Sequence, residues 1–158
     1  MEPGPWALRL AGVGDADEVA RLLHDFNCEF DTPSPGVPAL GERLRGLLAG
    51  EATVAILAGA PAVGVALVTL RPNVWYAGPV ALLDELYVKP DLRGRGIGSS
   101  IIRELLALAR SRGVELVEIN VDESDVDAQR FYERHGFCGT ETAQSPERSF
   151  YYWQELTT

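Results

Sequence analysis

The amino-acid sequence predicts a mixed α/β (α+β) domain, a mostly antiparallel sheet of six to seven strands with helices on both faces. Three observations predict it. Apolar residues recur at helical spacing in some segments and alternate or run together in others, so both element types are present. The two kinds of segment interleave along the chain, which favours helices layered on a sheet. And 158 residues at 46% hydrophobic and 23% charged can bury one ordinary core without disulfides or metals.

Trp6–Ala11 reads as a first strand broken by Gly12–Gly14. Asp15 then stands three residues before Glu18 in the manner of a capping box, and Val19, Leu22, Leu23, Phe26 and Phe30 follow at helical spacing. The spacing predicts a helix over Asp15–Phe30. Thr32–Pro38 carries three prolines and cannot continue it, because proline lacks the amide donor. Leu40, Leu44, Leu47 and Leu48 mark a second short helix closed by Gly50. Ala52–Ala58 and Ala62–Leu70 form a hairpin around Gly59-Ala60-Pro61, and Arg71–Pro79 is a loop. Val80–Val88 is a strand interrupted by Asp84 and Glu85. Ile97, Ile101, Leu105, Leu108 and Ala109 define a long helix ending at Gly113, and Val117, Ile119 and Val121 alternate in the next strand. Ser124 or Asp125 caps a last helix that stops at Gly136. Phe137–Glu141 and Ser149–Leu156 read as two closing strands. No repeat or linker divides the chain, so residues 1–158 are expected to form a single domain.

Charge and composition exclude several classes. Fourteen Lys and Arg against 23 Asp and Glu leave a formal charge of −9, the opposite of a phosphate-neutralising surface, so no nucleic-acid partner is expected. No run approaches the roughly 18 apolar residues of a membrane span, and Met1–Pro5 leads into no signal-peptide core. A cytoplasmic protein without a membrane partner is the expectation. Cys28 and Cys138 form no C-x-x-C and have only His24 and His135 beside them, so no metal is expected and the thiols are read as buried and inert.

The chemistry concentrates in Leu83–Ser99, LDELYVKPDLRGRGIGS. A strand ends at Val88, and glycines lead into the start of a helix. Gly94, Gly96 and Gly98 carry no side chains, so several backbone N–H groups can converge on one anion, assisted by the helix dipole. Arg93 and Arg95 add positive charge. The alternative is a glycine-rich turn with two solvated arginines. The segment lacks the Gly-Lys-Ser/Thr of a Walker loop. Its G-x-G-x-G spacing also differs from the dinucleotide-binding fingerprint.

Arg93-x-x-Gly96-x-Gly98, placed after Leu86-Tyr87-Val88-x-Pro90, resembles the acetyl-CoA signature of the GNAT superfamily of N-acetyltransferases. Downstream, Asp125-x-x-Ala128-x-x-Phe131-Tyr132-Glu133-Arg134-x-Gly136-Phe137 resembles a second stretch of that family. The resemblance implies the GNAT fold, acetyl-CoA as co-substrate and a homodimer. It implies that Val80–Val88 splays from Val114–Val121. The pantetheine arm would then bond main-chain groups of Leu86 and Val88, around Tyr87, and the pyrophosphate would rest on the amides of Arg93 to Ser99. Tyr132 matches a tyrosine that protonates the departing thiolate. Asp125 stands where the family has Asn, which keeps a helix cap but brings an anion toward an anionic cofactor.

An acceptor amine must arrive unprotonated, so a base is needed, and Asp84 and Glu85 are both candidates. Alternation along a strand points only one of them at the acceptor unless a bulge intervenes. The resemblance places the acceptor wall in the first helices and the following loop. Phe26, Glu29, Phe30 and Asp31 offer acidic and aromatic groups there, with Trp75 and Tyr76 on another loop, a set that suits a cationic amine. Phe26 and Phe30 stand on the apolar stripe of their helix and fit the core better than a pocket wall. The expected activity is acetyl transfer to a small cationic primary amine by direct attack. The alternatives are a protein or peptide N-acetyltransferase and a non-catalytic acyl-CoA-binding module.

Overall fold

A computed structural model describes residues 6–140 and 146–156. The chain divides into two compact units, one ending at Ile119 and the other beginning at Asn120.

The first unit holds strands β1 (Leu8–Leu10), β2 (Thr53–Ala58), β3 (Gly64–Arg71), β4 (Val80–Val88) and β5 (Leu116–Ile119), with helices α1 (Ala16–Glu29), α2 (Val37–Ala49) and α3 (Ile97–Ser111). The strands form one sheet in chain order. Neighbours from β1 to β4 pair antiparallel, and β5 joins parallel to β4 after the crossover through α3. Strand alternation divides the core between two faces. Ala55, Leu57, Val65 and Tyr87 pack with Ala16, Val19, Ala20 and Leu22 of α1 and Leu44 of α2. Ile101, Ile102 and Leu105 of α3 are fully buried, and the Ile101 side chain lies against Gly64 on the opposite face. Each such side chain contributes about 1.5–3 kcal/mol of burial.

Among the described residues the sheet has five strands, which corrects the expected six to seven. Phe137–Thr140 and Ser149–Leu156 carry no strand, and Glu141 lies outside the described residues. Phe150, Tyr151, Tyr152 and Trp153 are exposed. Aromatic residues supply strand propensity, but a strand also needs a partner ladder, and propensity does not provide one.

Smaller corrections follow the same logic. Asp15 and Glu18 do not box the start of α1. Asp15 accepts from the Gly12 amide at 2.8 Å, while Glu18 accepts from the Ala62 amide and from Arg9. Helix α2 starts at Val37 rather than Leu40 because Pro38 is tolerated in a first turn. Strand β5 is shorter than Val114–Val121. Neither cysteine is buried. Cys28 lies off the α1 stripe that packs on the sheet, and hydrogen bonding to Thr140 lowers the pKa of the Cys138 thiol.

The second unit contains α4 (Val126–Arg134), started by the Asp125 carboxylate, which accepts from the Ala128 amide at 3.0 Å.

Candidate active site

Two backbone features of the first unit define the site. The first is the turn between β4 and α3. After a short 3₁₀ turn at Pro90–Leu92, Gly94 and Gly96 take φ of 76° and 82°, a left-handed conformation that suits glycine. Gly96 is the N-cap of α3 and provides no side-chain cap, and a Cβ built at either glycine would have no atom within 4 Å. The N-cap of the helix therefore offers no side chain to its first amides, and space lies open at both glycines. Arg95 is exposed and has no ion pair among the described residues, Ile97 is buried in the core, and Gly98 and Ser99 lie in the first turn of α3.

The second feature is a β-bulge in β4. Leu67 of β3 pairs with Glu85 and Val68 with Leu83, leaving Asp84 as the extra residue. Glu85 is opposite Leu67, on the face covered by α1 and α2. Asp84 accepts a hydrogen bond from Thr69 Oγ1 at 2.5 Å, and Thr69 shares that face with Leu67. The bulge thus turns both carboxylates to one side of the sheet. Burial and then the neighbouring charge of Asp84 raise the Glu85 pKa, while Asp84 is exposed. β4 pairs with β5 only from Val80 to Leu83, so the Asp84–Val88 segment, with Leu86, Tyr87 and Val88, extends beyond the last rung of that ladder.

Arg93 is tied to the α1 end of the unit. Its two terminal nitrogens fork onto the Glu29 carboxylate at 2.7 Å each, and its Nε donates to the Val88 carbonyl at 2.9 Å. Phe26 packs on buried Tyr87 with ring centroids 5.2 Å apart, and Phe30, although 57% exposed, packs on Phe26. Asp31 is exposed and closes α1 with φ of 52°. Trp75 and Tyr76 are not part of this group. They occupy the β3–β4 connection, where Asn73 Oδ1 accepts both their amides, at the far end of β4 from Val88. An open concavity at that end, lined by Leu48, Thr53, Arg71, Asn73 and Arg112, is likewise remote from the glycine turn.

Sequence reasoning missed Thr69 and the Glu29–Arg93 fork. A lone threonine in the apolar run VALVTLR was a signal for the first. The second joins residues 64 positions apart and left no local trace. In the second unit Tyr132 is on α4, its ring 5.2 Å from Phe131 and 5.8 Å from Phe137 by centroid. Asp125 serves as the cap of that helix.

The acetyltransferase (GNAT) family model matches residues 20–137, a span that includes the glycine turn, the bulge and α4. The chain belongs to the GNAT family. This acetyltransferase is 30% identical to the thialysine N-epsilon-acetyltransferase of Bos taurus over 141 residues, 82% of each chain. It is 43% identical over 58 residues to an uncharacterised N-acetyltransferase of Methanocaldococcus jannaschii, of which it spans 26%. Among solved structures, a candidate acetyltransferase from Arthrobacter sp. FB24 is 51% identical, with 99% of each chain covered and a TM-score of 0.91. Acetyl-CoA is the co-substrate of the family, and the turn suits its anionic part. Both glycine Cβ positions are open, α3 presents its positive end there, and no ion pair neutralises Arg95 among the described residues. Among the described residues no cluster could hold a metal, and no helix is long and apolar enough to cross a membrane.

Proposed function

We propose that this acetyltransferase acetylates the primary amine of a small cationic acceptor by direct attack on the thioester. The observation that carries the reading is the bulge at Asp84, which turns two carboxylates to one face where pairing with β5 stops. When bound, acetyl-CoA supplies the acetyl group as a thioester. The amides from Gly94 to Ser99 and the charge of Arg95 would hold its diphosphate, and main-chain groups of Leu86 to Val88 would hold the pantetheine arm. Glu85, made a stronger base by burial and by the neighbouring charge of Asp84, takes the proton that the amine nitrogen loses. Asp84, oriented by Thr69, adds a second negative group for a cationic acceptor. The Tyr132 Oη gives its proton to the departing sulfur, a role that rests on the family motif, and solvent restores it.

Charge supports the cationic acceptor. Burial first, and then the charges of Glu29, Asp25 and Asp91 against that of Arg93, raise the pKa of the Tyr87 phenol, so carboxylates outnumber the one arginine beside the β4 segment. The bovine relative, matched along most of both chains, is named for thialysine. In the same reading the chain is a cytoplasmic homodimer, which cell fractionation and light scattering check. Thiol release from acetyl-CoA over a panel of amines tests the function. Di- and polyamines and lysine-like amines should show the highest kcat/KM, and their advantage should shrink as salt screens the attraction. Preference for neutral or acidic amines, or for peptide lysines alone, overturns the acceptor. Binding without thiol release overturns turnover.

A further inference from the structure

The fork between Arg93 and Glu29 joins two elements that the reaction would use separately. Glu29 is the last residue of α1, and Arg93 directly precedes Gly94, with Gly96 two residues further on. Both carboxylate oxygens face the guanidinium edge, at 2.7 Å each, in the bidentate geometry that arginine alone provides. The Nε bond to the Val88 carbonyl fixes the plane of the group against the end of β4, and its carbon lies 5.6 Å from the Tyr87 ring centroid. Phe26, on the same helix as Glu29, covers that ring. The arginine is therefore held from three sides and has its fork turned toward Glu29.

We propose that Arg93 is a positioning residue and not a phosphate ligand. Its fork with Glu29 ties the end of α1 to the glycine turn, and this tether keeps the amides after Arg93 arranged for an anion. The inference rests on the reading of that turn as the acetyl-CoA diphosphate site. The opposite arrangement makes the opposite prediction. If Arg93 contacted phosphate itself, Glu29 would compete for it, and removing the Glu29 charge would tighten binding.

Calorimetric titration with CoA tests the tether, using wild type, Glu29→Gln, Arg93→Gln, their double variant and Arg93→Lys. Glu29→Gln should weaken CoA by roughly tenfold, within the usual 5- to 150-fold of coupled sites. The double variant should be no weaker than the weaker single, because both remove one interaction. Arg93→Lys keeps the charge but loses the fork, so it should weaken CoA as much as Arg93→Gln. The loss should fall mainly in KM for acetyl-CoA, with a smaller change in kcat and in KM for the amine, a split that general destabilisation does not produce. Unchanged or tighter CoA binding by Glu29→Gln, additive losses, or full retention by Arg93→Lys each overturns the tether. Wild type that fails to bind CoA overturns the diphosphate site itself, and so is told apart from failure of the tether.

Discussion

Replacing Gly96 by alanine separates the cost of a left-handed residue from the loss of an anion site. Gly96 sits at φ 82° and ψ 6°, where a Cβ costs about 1–2 kcal/mol of backbone strain. No atom lies within 4 Å of that Cβ, so no clash adds to the strain. For a chain of this size each kcal/mol moves Tm by roughly 2–4 °C, so unliganded Gly96→Ala should melt about 2–8 °C below wild type. Acetyl-CoA at a hundred times its Kd should stabilise wild type by about 2.7 kcal/mol, a shift of roughly 5–11 °C. In Gly96→Ala the new methyl stands where the diphosphate would approach, so this shift should largely vanish. Gly46→Ala is the control, because Gly46 is exposed within α2 and its Cβ position is also open. It should gain about 0.5–1 kcal/mol from helix propensity and keep the full ligand shift. Thermal melts with and without acetyl-CoA read all three proteins. A folded Gly96→Ala that keeps the wild-type ligand shift would refute the reasoning.

If Glu85 is the base, it works when ionised, so kcat/KM should rise with pH through its raised pKa, and Asp84→Asn should move that limb to lower pH by removing the like charge. A raised folded pKa also means that the stability Glu85 contributes is full below its unfolded pKa and is lost as pH climbs through the higher folded value. Urea melts should therefore show Glu85→Gln faring better relative to wild type at neutral pH than in acid, and the reverse order would refute the assignment. Tyr132→Phe should lower kcat by roughly 10²–10⁴-fold with little change in CoA affinity, and wild-type turnover would remove it from the proton path. Asp125→Asn should keep the α4 cap and the melting temperature, whereas Asp125→Ala should cost about 0.5–2 kcal/mol in urea denaturation.

The parts of this acetyltransferase legible in the sequence are those governed by neighbours a few residues apart. Helix α3 was readable because Ile97, Ile101, Leu105 and Ala109 return to one face every four residues, and burial follows that stripe. The Asp125 cap was readable because its bond spans three residues. Order along the chain was enough to place glycines between β4 and α3 and to tie them to a family motif. Tertiary structure alone decided the rest. Phe137–Thr140 and Ser149–Leu156 found no ladder, Glu18 met the amide of Ala62 from across the fold, and Glu29 forked onto Arg93, 64 positions away. The bulge that brings Asp84 and Glu85 to one face exists only in the register between β3 and β4. Capping and periodicity are properties of a short stretch of chain, whereas a ladder, a bulge and a long-range ion pair are properties of two stretches brought together by the fold.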